Sequence, residues 1–131
     1  MSNLDKAIYA ELVEQSIAGG RVYPRNVPQD VSLPAVAFRQ ISGQPLIAHD
    51  GHHGYYESDR YQFSAVGATH DAARDLAAQL TTLFSGRSGE LGSDSVHVVL
   101  GSASLVNVMD VDIPIQPAAY ETLVDVIFEW R

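Results

Sequence analysis

Two stretches of the chain carry apolar residues at helical spacing. From Asn3 to Ile17, the residues Leu4, Ala7, Ile8, Leu12 and Ile17 fall on one stripe, the pattern of an amphipathic helix with one face to a core. Ser2 or Asn3 offers an N-cap and Ala18-Gly19-Gly20 a stop. The second helix is predicted to start at Thr69, whose hydroxyl suits the cap position and is followed by Asp71 near the positive end of the helix. Its stripe is Ala73, Leu76, Ala77, Leu80, Leu83 and Phe84, closed by Gly86.

Elsewhere the period is two, the signature of strands. Ala35–Ser42 sets Val36, Phe38 and Gln40 against Ala37, Arg39 and Ile41, and Ser58–Gly67 sets Tyr61, Phe63 and Ala65 against Arg60, Gln62 and Ser64. Further strands are predicted at Ser95–Leu100, Leu105–Asp112 and Tyr120–Arg131, with a turn or bulge at Gly101–Ser104. In the last strand Tyr120, Thr122, Val124, Val126, Phe128 and Trp130 share a face. Pro24, Pro28 and Pro34 make Arg21–Pro34 a linker whose first residues pair briefly as an edge. Arg87–Asp94 reads as a Gly/Ser loop, and Gly43–Glu57 as a loop of unusual length, a class that is often functional.

The order of these elements predicts an α+β fold: one domain over residues 1–131, with a mainly antiparallel or mixed sheet of about five strands and two helices packed on one face. At 131 residues and 46% hydrophobic composition, a core without staples is feasible. Cysteine is absent, which excludes disulfides, thiolate metal sites and a thiol nucleophile. Sixteen acidic residues against eight basic ones give a formal charge of −8, the opposite of a phosphate-gripping surface. Specific nucleic-acid binding is therefore not expected, although like charge would let DNA slide past. The N-terminus shows no basic region followed by an apolar run, and no stretch approaches the ~20 apolar residues of a membrane span, so a soluble protein is expected.

The candidate chemistry is thin. His49, Asp50, His52 and His53 supply imidazole and carboxylate, the ligands of a small metal-binding module or metal-dependent hydrolase. A Gly-punctuated loop does not by itself hold such ligands rigidly, so a solvated segment is the reading preferred. The pairs Asp110/Asp112 and Asp125/Glu129 share strand faces, as acid–base pairs do, but alternate carboxylates usually mark the wet side of a strand. Gly86–Gly92 lacks the Gly-Lys-Ser/Thr ending of a phosphate-binding loop, and no Gly-x-Ser-x-Gly elbow occurs. Tyr55, Tyr56 and Tyr61 beside Arg60 have no basic groove around them to guide a single strand of nucleic acid. No enzyme motif remains, and no cofactor is expected.

Four pieces in order resemble the tail-completion proteins of tailed phages, also described as tail-terminator or tail-to-head joining proteins: the opening helix with Gly20-Arg-Val-Tyr-Pro24; Leu33–Gly43; Asp59–Gly67 with the Ala-rich helix after it; and the aromatic-rich closing strand. The resemblance implies a non-enzymatic structural protein of the virion, assembled in the host cytoplasm. It would cap the tail tube at the head–tail junction as a homo-oligomeric, hexameric ring through which DNA passes. Its partners would be other copies of itself, the tail-tube protein and the head connector. A head-completion adaptor or minor tail protein of the same machine is the neighbouring alternative. In such proteins the long loop is a contact element, which assigns partner binding here to Gln44, His49, Asp50, His52, His53, Tyr55 and Tyr56. The histidines and the tyrosine pair depart from the family's pattern.

Overall fold

Helix α1 (Asn3–Glu14) buries the predicted stripe of Leu4, Ala7, Ile8 and Leu12 and leaves Lys6, Val13 and Glu14 in solvent. The computed structural model describes residues 3–28, 32–47, 53–92, 96–115 and 119–130. The helix ends earlier than its pattern suggests, because Ser16 takes a left-handed backbone (φ 55°) and turns the chain. Ile17 still reaches the core, through the tight turn Ile17–Gly20. Six strands follow: β1 (Val22–Pro24), β2 (Ala35–Ile47), β3 (His53–Gly67), β4 (Arg87–Leu91), β5 (Val96–Ile115) and β6 (Ala119–Trp130), with helix α2 (His70–Phe84) between β3 and β4.

The strands form one mixed sheet in the order β1-β2-β3-β6-β5-β4, parallel between β1 and β2 and antiparallel elsewhere. The expected α+β architecture is present, with both helices on one face. Its core combines Val36 and Phe38, Tyr61 and Phe63, and Val124, Val126 and Phe128 from the sheet with Leu4, Ile8, Leu12, Leu76, Leu80 and Phe84 from the helices. Each large apolar side chain so buried contributes about 1.5–3 kcal/mol relative to exposure. Phe84 brings α2 into register with the sheet, stacking on Phe63 at 5.0 Å and meeting Phe128 edge-on at 5.3 Å. Thr69 caps α2, its Oγ1 accepting from the Ala72 N–H at 3.0 Å, and Gly86 takes the left-handed backbone (φ 70°) after the helix. The Tyr61 hydroxyl donates to Asp5 Oδ1, which ties α1 to the centre of the sheet.

The structure corrects two loop expectations and joins two predicted strands through the bulge that is one of the two readings of Gly101–Ser104. Gly43–Glu57 is largely a β-hairpin arm, with β2 running to Ile47 and β3 starting at His53. Arg87–Leu91, within the expected Gly/Ser loop, is the edge strand β4, paired with β5. The strands expected at Ser95–Leu100 and Leu105–Asp112 are one strand: between Val98 and Ser104 β5 takes up extra residues against β6, so Gly101–Ser104 sits in a bulge and the chain does not reverse. In each case the ladder to a neighbouring strand overrode the local composition.

Candidate functional site

The β2–β3 hairpin is the element that leaves the body of the sheet. β6 ends at Trp130 opposite Glu57, whereas β2 and β3 continue as a two-stranded ribbon in which Leu46 faces Tyr56 and Ile47 faces His53. Of the residues assigned to partner binding, Gln44 lies in β2 opposite Ser58, and His53, Tyr55 and Tyr56 lie in β3. His49, Asp50 and His52 fall outside the described residues. The ribbon thus carries His53, Tyr55 and Tyr56, while Gln44 lies just before it, where β3 is still flanked by β6.

The root of the ribbon is built around a buried carboxylate. Asp59 is 8% exposed, and both of its oxygens are used: Gln40 Nε2 donates to Oδ1 at 3.2 Å and Trp130 Nε1 to Oδ2 at 2.8 Å. A desolvated carboxylate with satisfied lone pairs rigidifies its surroundings. Gly43 faces it across the strand pair, and a Cβ there would stand 2.2 Å from Asp59 Oδ1. The glycine that reads in sequence as a strand terminator is therefore a close-approach position inside a continuing strand. Neither Asp59 nor Trp130 stands out in sequence as part of a site; the register that brings both to Gly43 is a long-range property.

The opposite face of the sheet carries a polar row across three strands. Arg39 Nη2 donates to Gln62 Oε1 at 3.0 Å, and Arg60 Nη2 pairs with Asp125 Oδ2 at 2.8 Å. Asp125, weighed above as half of an acid–base pair with Glu129, is engaged by this arginine. Arg60 Nε and Asp125 Oδ1 are buried without a hydrogen-bond partner among the described residues. Arg60 is thus engaged within the sheet by a carboxylate of the neighbouring strand. The side chains of Asp110 and Asp112 fall outside the described residues.

Two shallow grooves flank α2. One, of about 330 Å³, is lined by Arg74, Ala77, Ala78, Thr81, Thr82 and Thr122; the other, of about 390 Å³, by Gln15, Ile17, Ala78, Gln79, Thr82 and Leu83. Neither lining contains a carboxylate, an imidazole or a nucleophile beside a base. Among the described residues, no group of three or more His, Asp or Glu side chains converges as metal ligands do, and no helix is long and apolar enough to cross a membrane.

No protein-family model matches the sequence, and no curated protein sequence matches it significantly. Solved structures do resemble it. A chain from the virion of a native gene transfer agent particle superposes with a TM-score of 0.68 at 12% identity, over 97% of this chain and 90% of that one. A second solved chain gives a TM-score of 0.58 at 16% identity, over 100% of this chain and 96% of its own. At such identities the shared property is the fold, and it extends over nearly the whole of each chain, so a fold of this kind also occurs in a virion component.

Proposed function

We propose that this chain is a structural virion protein of a tailed phage, prophage or phage-like particle, which caps the tail tube and joins it to the head connector as a homo-oligomeric, hexameric ring. The observation that carries this reading is the end-to-end fold likeness to a gene transfer agent virion chain. The ordered sequence pieces that resemble tail-completion proteins support it. The protein acts through surfaces and does not turn over a substrate. Its sheet and helices form the rigid platform, and the β2–β3 arm, with Gln44, His49, Asp50, His52, His53, Tyr55 and Tyr56, is the docking element for the tail tube or connector. The formal charge of −8 keeps the genome from adhering as it passes the ring.

Electron microscopy of the protein mixed with purified tail tubes tests the reading: capped tube ends are expected. Bare ends, with the protein bound to neither tubes nor connectors, would overturn it.

A further inference from the structure

Two exposed surfaces on opposite sides of the sheet match each other in shape and charge. The first belongs to α2, where Asp71, Asp75, Ala78 and Thr82 recur at helical spacing and form one solvent-exposed stripe. Its N-terminal half is acidic. Its C-terminal half is small, and the grooves of about 330 and 390 Å³ run along its two sides, with Ala78 and Thr82 lining both. Arg74 lies off the stripe, on the side of Thr122. The second surface is the corner of the sheet at the bulge of β2, where Ile41 is 41% exposed. Arg39, also exposed, precedes it on the face away from the helices, where it donates to Gln62. Arg25 is exposed and reaches the same corner, its N–H donating to Phe38 O at 2.8 Å. From Ser32 to Ile47 the chain contains no Asp or Glu.

An aliphatic side chain beside two cations on one surface thus faces its complement on the other, grooves beside two carboxylates. The spacing agrees as well. Arg39 and Ile41 stand roughly 6–7 Å apart along a strand, and the midpoint of Ala78 and Thr82 lies about 7–8 Å along the helix axis from Asp75. We propose that a second copy of this chain occupies the α2 stripe, with Ile41 of one protomer seated over Ala78 and Thr82 of the next and Arg25 and Arg39 set against Asp71 and Asp75. The inference rests on the ring reading and specifies the contact that builds the ring. Because α2 packs on one face of the sheet and Arg39 lies on the other, each protomer holds one neighbour per side, as a head-to-tail contact that closes into a ring requires. An apolar centre with a charged rim is the ordinary anatomy of such an interface. The acidic pair also repels a second α2 stripe, so the cationic corner is selected over a symmetric helix-to-helix contact in a chain of net charge −8.

Charge reversal in the full chain tests the contact, with sedimentation velocity and tail-tube capping as readouts and circular dichroism as the check on folding. Wild type should assemble, and Arg25→Glu/Arg39→Glu and Asp71→Lys/Asp75→Lys should each associate more weakly by a factor of about ten or more while remaining folded. Ala78→Arg, a change at an exposed helix position that fills the grooves, should lose assembly without losing the fold. An equimolar mixture of the two charge variants should regain assembly, since the altered corner of one complements the altered helix of the other around an even-numbered ring. If wild type forms rings and the folded variants do so equally well, or if mixing does not rescue the charge variants, the contact lies elsewhere and the ring reading stands. If wild type neither self-associates nor caps tubes, the ring reading itself falls, and this contact with it.

Discussion

Asp59 shows how much of the hairpin's position depends on a single carboxylate. It lies out of water at the point where β2 and β3 leave the sheet, and the Trp130 indole N–H is the donor to Oδ2. Trp130→Phe keeps an aromatic ring on the core but removes that donor, leaving a buried charged oxygen unpaired. A loss of about 1–3 kcal/mol is expected, measurable as a lower urea midpoint at unchanged slope. Gly43→Ala approaches the same carboxylate from the other side: the added methyl meets Asp59 Oδ1 and the Gln40 amide at once. Overpacking of this kind costs about 1–3 kcal/mol, and the same denaturation series measures it. Neither cost is visible from residue types alone, since it depends on positions 43, 59 and 130 meeting through the register of three strands.

At the scale of elements, α2 is the part most directly written in the sequence. Its cap, apolar stripe and closing glycine all act within a few residues of one another, and the structure places them as the pattern predicts. Thr69→Ala removes the acceptor of the Ala72 N–H and should lower stability by about 1 kcal/mol, with Thr69→Asp restoring most of it; thermal unfolding of the three proteins decides this. The sheet was legible in part. Strands with one face on the core, such as Ser58–Gly67 and Tyr120–Arg131, announce themselves by alternation, because burial on a single face enforces it. The arm and β4 do not. Their backbones are held by ladders to distant partners, and Gly43, Pro45 and Gly89 give them the composition of loops. Where β5 bulges, one strand reads as two, since the extra residues break the period while the pairing to β6 resumes beyond them. The arm suffered in the same way: Gly43–Glu57 reads as a loop, and the long-range pairing of β2 with β3 is not legible in it.

For the whole molecule, platform and arm should be separable. Replacing residues 48–52 with a Gly-Ser linker leaves the core, the Asp59 root, the Ile41 bulge and α2 in place. The expected result is a folded protein that still self-associates but caps tail tubes poorly, scored by circular dichroism, sedimentation and electron microscopy. Loss of self-association along with capping would place the arm in the ring contact itself. The root of that arm has a further use. Trp130 is the only tryptophan in the chain, and its indole is hydrogen-bonded to the residue that anchors the ribbon. Its emission, excited selectively at the red edge of the absorption band, is therefore a built-in optical gauge of how the arm is seated. A change in its wavelength or lifetime on adding tail tubes would register engagement in real time, without any label attached to the protein.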